Sequence, residues 1–291
     1  MTPVDTVSIV DLAHRACQLA GLPASAIEPI RIRDNWMLRI TGTSTVIRIL
    51  PTGQLDIATR ELRAADWLRS HQVLTAEPVV PDPVTVAGHP VTFWADLGSY
   101  GPAEPAATAR ALLRLHGLRV PTHLGLPRFA LHDRAPNIAA AQTDDRAKAW
   151  LAGHSAELAR RWDEVTWPDD WCVIHGDPSP HNTMYVVGSA YLVDLERMSI
   201  GPRQWDQATA AFQHDTLSEP AAYWEQFRDA YGHDVTAWDG YQLLRDIRSM
   251  ELCLFALRHA DKSDHARSQA DYRLRCLMGR HGARPWKWVA P

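Results

Sequence analysis

The hydrophobic texture of this chain changes once, and that change limits the folds open to it. Up to about residue 95 the apolar residues come in short runs rich in β-branched side chains: Ile30 to Arg33, Met37 to Thr41, Thr45 to Leu50, Val84 to Ala87 and Val91 to Trp94. Turn-forming residues cut them, at Asp34-Asn35, Thr41-Gly42-Thr43 and Gly88-His89-Pro90. Runs of this length, broken this way, predict antiparallel strands. Two helices interrupt them. Residues 8–21 repeat Ile9, Leu12, Ala13, Ala16, Leu19 and Ala20 before Gly21 and Pro23, and residues 56–70 repeat Ile57, Leu62, Ala65 and Leu68. Beyond residue 97 the spacing turns helical, over 106–117, 144–162 and most of the chain after Trp205. A Pro-rich irregular stretch, 118–143, and short strand-like runs around a loop, 172–200, break that pattern. The order predicts an α+β architecture of two lobes around a cleft. Residues 1–96 would form a lobe of five antiparallel strands plus helix, and 97–291 a mainly helical lobe.

Composition narrows the function classes. Hydrophobic residues make up 46% and charged residues 22%, which is ordinary for a globular chain. The net charge of −4 and pI near 6.4 lack the basic surplus of a nucleic-acid binder. Cys17, Cys172, Cys253 and Cys276 form no C-x-x-C pair, so neither a zinc site nor a disulfide frame is expected. No signal peptide is read at Met1 to Leu12, and no run approaches the ~20 apolar residues of a membrane span. A reduced, cytoplasmic protein without membrane partners is the expectation. Lys148, Lys262 and Lys287 are the only lysines among thirty basic residues. Any role that usually needs a lysine must be checked against arginine.

Two motifs carry chemistry. The first is Val173-Ile174-His175-Gly176-Asp177-Pro178-Ser179-Pro180-His181-Asn182, an apolar run entering H-x-D-x-x-x-x-N. Phosphoryl transfer needs a carboxylate to orient a hydroxyl and take its proton, and an oxygen ligand for the magnesium that bridges the phosphates. The spacing lets the loop return, so that Asp177 and Asn182 face one point. The second is Tyr191-Leu192-Val193-Asp194-Leu195-Glu196, an apolar strand ending in two acids one residue apart. In an extended strand Asp194 and Glu196 would point the same way, towards a hard metal ion.

With these motifs, and with Ile200-Gly201-Pro202-Arg203-Gln204-Trp205-Asp206-Gln207-Ala208 after them, the chain resembles the aminoglycoside phosphotransferase and choline kinase families of the protein-kinase-like superfamily. The resemblance runs over roughly residues 28 to 260. It implies a two-lobed kinase-like fold and transfer of the γ-phosphate of ATP or GTP to a small-molecule hydroxyl. It implies Asp177 as catalytic base, Asn182 and Asp194 as Mg2+ ligands and Asp206 as a brace of the catalytic loop, with His175 and Glu196 in support. Arg48, in Val46-Ile47-Arg48-Ile49, stands where the family has a phosphate-holding lysine, and Glu61 stands as its partner. Asn35 sits where a Gly-rich loop would lie. Phe93, Trp94 and Asp96 belong to a stretch that resembles the lobe linker, whose backbone in the family binds the nucleotide base. Leu115-His116-Gly117 matches the family's helix end before the acceptor region.

Plainer readings stand beside these. Arg48 also suits a strand-face ion pair, Glu61 an exposed helix charge and Glu196 a surface acid. His175 reads as a buried loop brace and His181 as solvent-facing or acceptor-side. Asp206 fits a helix cap as well as a loop brace. Asp246 and Glu251, in the helix expected at 239–260, suit either an exposed face or an acceptor site. The acceptor could be an antibiotic sugar or a metabolic sugar or amino alcohol, and a nucleotide-binding pseudokinase is the rival outside enzymology. A hydrolase built on Ser179 and His181 lacks a G-x-S-x-G elbow. The oligomeric state is not readable.

Overall fold

The computed structural model describes residues 6–24, 26–32 and 35–289. Arg33 and Asp34, expected at a strand end and turn, and the first residues of the N-terminus lie outside the described residues. In chain order, α1 (Thr6–Ala20) precedes β1 (Ile27–Ile32), β2 (Trp36–Ile40) and β3 (Thr45–Ile49). Next come α2 (Leu55–Ser70), β4 (Val84–Val86), β5 (His89–Ala95) and β6 (Gly101–Pro102). Helices α3 (Pro105–His116), α4 (Ala135–Ala139) and α5 (Asp145–Asp163) follow. Four short strands come after them: β7 (Cys172–Ile174), β8 (Thr183–Val186), β9 (Ser189–Leu192) and β10 (Ser199–Gly201). The chain then runs through α6 (Arg203–Asp215), α7 (Ala221–Tyr231), α8 (Tyr241–Arg258) and α9 (Asp264–Leu277). The architecture is α+β, as the sequence predicts. The turn between β4 and β5 is tighter than expected: Ala87 and Gly88 both have positive φ, and Val86 pairs with His89.

Two compact units emerge, interleaved in sequence. One holds the described residues up to Glu104 with 117–127 and 180–199; the other holds 105–116, 128–179 and the chain from 200 onward.

The first unit is built on an antiparallel sheet of order β1-β2-β3-β5-β4. Strand alternation sorts its side chains. Trp36, Leu38 and Ile40 of β2, Ile47 and Ile49 of β3, and Val91 and Phe93 of β5 enter one core with Ile9, Ala13, Ala16 and Cys17 of α1. Those four α1 residues recur at i, i+4, i+7 and i+8, one helical stripe. The alternate set, Met37, Arg39, Val46, Arg48 and Trp94, lines a cavity instead. On β1 a register shift between Pro29 and Arg31 bulges Ile30, and both Ile30 and Arg31 reach that cavity. The β8–β9 hairpin belongs to this unit; β8 also pairs with β6.

The second unit is mainly helical. Gln204 to Phe212 of α6 are buried without a break, so this helix is enclosed on all sides. Its polar residues therefore need partners. Gln204 donates to Asp169 at 2.7 Å and Gln207 meets His233 Nδ1 at 2.8 Å. Leu243, Leu244, Ile247, Met250 and Leu254 give α8 its buried stripe. β7 pairs with β10, and Gly201 allows the approach. A Cβ there would stand 2.6 Å from Ile174 Cδ1 and 2.8 Å from Phe129 Cβ. All four cysteines are buried and free. Among the described residues no helix is long and apolar enough to cross a membrane.

Candidate active site

In the sheet unit the central object is one buried arginine. The alternation of β3 sends Arg48 away from the α1 core, and its side chain is only 7% exposed. Nη1 donates to Glu61 Oε1 on α2 at 2.5 Å. Nη2 donates to Asp194 Oδ1 at 3.0 Å and to Glu196 Oε2 at 2.8 Å. With the Asn35 amide turned so that both of its ends are satisfied, its oxygen accepts from Arg48 Nη2 at 2.6 Å and from Nε at 3.3 Å. Glu61 Oε1 also accepts the Leu195 N–H at 3.1 Å. Burial works against the Arg48 charge, but Glu61, Asp194 and Glu196 outweigh it and hold the guanidinium above its ordinary value. Burial pushes Glu61 up, with Asp194 and Glu196 adding to the rise, while Arg48 pulls it down. Three carboxylates thus share one guanidinium, an excess of negative charge.

The two acids do not project from an extended strand, as the sequence predicts. β9 ends at Leu192, Asp194 takes a left-handed conformation at φ 62°, and Glu196 lies in a 3₁₀ turn over Leu195–Arg197. The left-handed residue redirects the chain, and the turn brings the second acid back to Arg48. Asn182 shares this end of the hairpin. Thr183 pairs with Leu192, and the Val193 N–H donates to the Asn182 carbonyl at 3.0 Å. Among the described residues no three His, Cys, Asp or Glu side chains are arranged to hold a metal ion. A divalent ion here would need Asn182 and oxygens from outside the protein to fill its shell.

Arg48, Glu61, Asn182 and Asp194 line a cavity of about 190 Å³ together with Ile30, Val46, Trp94, Leu97, Met184 and Val193. A broader depression of about 970 Å³, lined by residues of α2 and of 119–124, holds none of the acids around Arg48. Phe93, in the strand expected over Val91 to Trp94, has its side chain wholly in the α1 core. Trp94, one residue on, faces the cavity, and its indole donates to Thr92 Oγ1 at 2.8 Å. Asp96 pairs with Arg39 at 2.6 Å and accepts the Gly98 N–H at 2.9 Å. Most of the nearby backbone is in use: Val79 donates to the Phe93 carbonyl, Ala95 to Glu77 and Asp96 to Ser44.

In the helical unit the central object is the catalytic-loop motif. His175 is fully buried, and the Asp177 N–H donates to its Nδ1 at 3.3 Å. Gly176 has φ +86°, a conformation glycine adopts without strain. α6 templates this turn. The fully buried Asp206 carboxylate accepts the N–H of His175 at 2.7 Å and of Gly176 at 2.9 Å, and contacts His116 Nε2 at 3.0 Å. Trp205 Nε1 donates to the Gly176 carbonyl at 2.7 Å. Asp206 thus binds the loop and does not cap its own helix. The Asp177 side chain, 32% exposed, receives Arg248 Nη2 at 3.0 Å.

The sequence profile of the phosphotransferase enzyme family matches residues 26–244, well over half of the chain. The chain belongs to that family. The match spans every site residue from Asn35 to Asp206, and Arg248 lies beyond it. No curated protein matches this phosphotransferase-family chain in sequence. Solved structures match it in fold. The amicoumacin kinase hAmiN, in complex with AMP-PNP, Ca2+ and Ami, superposes with a TM-score of 0.73 at 12% identity, over 95% of this chain and 94% of that one. The choline kinase LicA from Streptococcus pneumoniae gives 0.64 at 13%, over 92% and 98%. The GDP complex of aminoglycoside 2'-phosphotransferase-IIIa gives 0.65 at 15%, over 96% and 100%. The family chain therefore has the protein-kinase-like α+β fold.

Sequence reading alone misses Arg248 and Thr209, the contacts on the Asp177 side. The signal for Arg248 was an arginine four residues after Leu244, on the buried stripe of α8.

Proposed function

We propose that this chain is a small-molecule kinase that transfers the γ-phosphate of ATP or GTP to a hydroxyl group. The observation that carries the reading is the Arg48 cluster, where three carboxylates meet one guanidinium beside a mostly apolar cavity. Such a site asks for a cation and accepts oxyanions beside it. Asn182 and Asp194 would hold Mg2+, which suits their hard oxygen donors and would neutralise phosphate charge when bound. Arg48 would hold phosphate oxygens through its fork of N–H donors, kept in place by Glu61 and Asn35. The base would lie against Trp94 and Leu97. The cavity is below the ~300 Å³ usual for a whole ligand site, so it would enclose only part of the nucleotide. The Leu97 N–H, which has no hydrogen-bond partner among the described residues, is a donor for the base.

Asp177 would orient the acceptor hydroxyl and take its proton as the oxygen attacks the γ-phosphorus. The new P–O bond forms, the bond to the β-bridging oxygen breaks, and the nucleoside diphosphate leaves. An aminoglycoside-like antibiotic is the proposed acceptor, and a metabolic sugar or amino alcohol is the alternative in the same site. The kinases and phosphotransferases that share the fold support the reaction class.

The test is transfer itself. Purified protein with Mg2+ and ATP or GTP is offered aminoglycosides, other antibiotics, amino sugars and amino alcohols. Diphosphate release is read together with an acceptor mass gain of one phosphate. Transfer to any of them supports the reading, and the acceptor decides between resistance and metabolism. Nucleotide binding without turnover, even with water as acceptor, would favour the pseudokinase.

A further inference from the structure

The loop after Asp177, Pro178-Ser179-Pro180-His181, has no lysine or arginine. A cation nevertheless reaches Asp177, from a helix seventy-one positions further along the chain. Arg248 sits on the buried stripe of α8 and is 8% exposed. Its Nη2 donates to Asp177 Oδ1 at 3.0 Å and to Thr209 Oγ1 of α6 at 2.5 Å. Its guanidinium carbon lies 5.3 Å from the centre of the Trp205 ring, over the indole that holds the Gly176 carbonyl. Nη1 is 4.0 Å from Glu251 Oε2. A guanidinium held by a helix hydroxyl and an aromatic face has little freedom, and the carboxylate oxygen that it grips shares that restraint.

We propose that Arg248 is a positioning residue for the transfer reaction: it fixes the rotamer of Asp177, and with it the direction in which the acceptor hydroxyl is held. This rests on the reading of Asp177 as the base. Arg248 is buried on α8 against α6 and acts through Asp177, so its removal should be felt in turnover and not in nucleotide affinity. A misplacement of about 1 Å at a reacting group costs roughly 10²-fold in rate. Arg248→Ala is therefore expected to lower kcat by about that factor and to move the KM for the nucleotide by less than about threefold. Arg248→Lys restores the charge without the planar fork, and falls between.

The experiment measures phosphate release from Mg2+ with ATP and with GTP, water serving as acceptor, and transfer to any acceptor found in the panel. Wild type, Arg248→Ala, Arg248→Lys and Asp177→Asn are compared, each with its melting temperature. Millimolar guanidinium ion is then added. The proposal expects it to raise the turnover of Arg248→Ala by several-fold and to leave Asp177→Asn unchanged. A merely structural arginine would lower the melting temperature and show no such rescue. If Arg248→Ala turns over within about threefold of wild type, or guanidinium restores nothing, the proposal fails. Where Arg248→Ala does not fold, Arg248→Lys decides: turnover equal to wild type overturns the proposal, and a loss in kcat at unchanged nucleotide KM supports it. If wild type is inactive, or Asp177→Asn is as active as wild type, the reading of the base itself falls. That result is distinct from an inactive Asp177→Asn beside a fully active Arg248→Ala.

Discussion

The Arg48 cluster of the sheet unit and the Asp177 cluster of the helical unit both join arginine to carboxylate, but they differ in charge balance. Arg48 faces Glu61, Asp194 and Glu196, and the last two are 31% and 36% exposed. Asp177 meets Arg248 at 3.0 Å, Glu251 lies near both Arg248 and Arg134, and the His175 and Gly176 backbone just before Asp177 is clamped by Asp206 and Trp205 of α6. The first sets three carboxylates against one guanidinium. The second is assembled in the folded chain. On our reading, one region awaits magnesium and phosphate while the other holds a base ready for the acceptor.

The largest effect should come from the second region. Asp177→Asn removes the proton acceptor and is expected to cut turnover by about 10²–10⁴-fold, with nucleotide affinity unchanged by calorimetry. Turnover within a few-fold of wild type would show that Asp177 is not the base. Next comes the template. Asp206→Ala would strip two buried N–H groups of their acceptor, at about 1–3 kcal/mol each, and a clear drop in melting temperature is expected together with loss of turnover. A variant that melts like wild type would mean that the loop does not depend on α6.

The first region should respond more gently. Arg48→Lys keeps a charge but cannot reach Glu61, Asp194 and Glu196 with a planar fork. A loss in kcat/KM of roughly tenfold, carried mostly by the nucleotide KM, is expected. No change in kinetics would reduce Arg48 to a strand-face ion pair. Glu196→Gln should matter least, within about threefold, because Glu196 is the most exposed of the three acids and Arg48 keeps Glu61 and Asp194 as partners. A large loss there would move Glu196 from support into the metal site.

How much of this was legible depended on the range of the interactions. Period-two alternation in β3 and the H-x-D-x-x-x-x-N spacing are local, so Arg48, Asp177 and Asn182 could be read from neighbouring residues. The same alternation in β5 separates Phe93 in the core from Trp94 at the cavity. Asp194 and Glu196 were legible as a pair but not in shape. A left-handed non-glycine followed by a 3₁₀ turn is set by Glu61 accepting the Leu195 N–H and by Arg48 holding both acids. Those contacts span more than a hundred and thirty positions. Arg248 was hidden for the same reason: nothing near it in sequence says that Thr209 and Asp177 lie beside it. The grouping of the 180–199 hairpin with the sheet is likewise a product of tertiary pairing.

The most direct test is nucleotide binding with and without magnesium. ATP and GTP are titrated into wild type, Asp194→Ala and Asp177→Asn, each with Mg2+ and with EDTA. The account predicts that Mg2+ strengthens binding to wild type and to Asp177→Asn alike, and that Asp194→Ala loses this dependence. Undiminished Mg2+ dependence in Asp194→Ala, or its loss in Asp177→Asn, would contradict the assignment of metal to one region and proton transfer to the other.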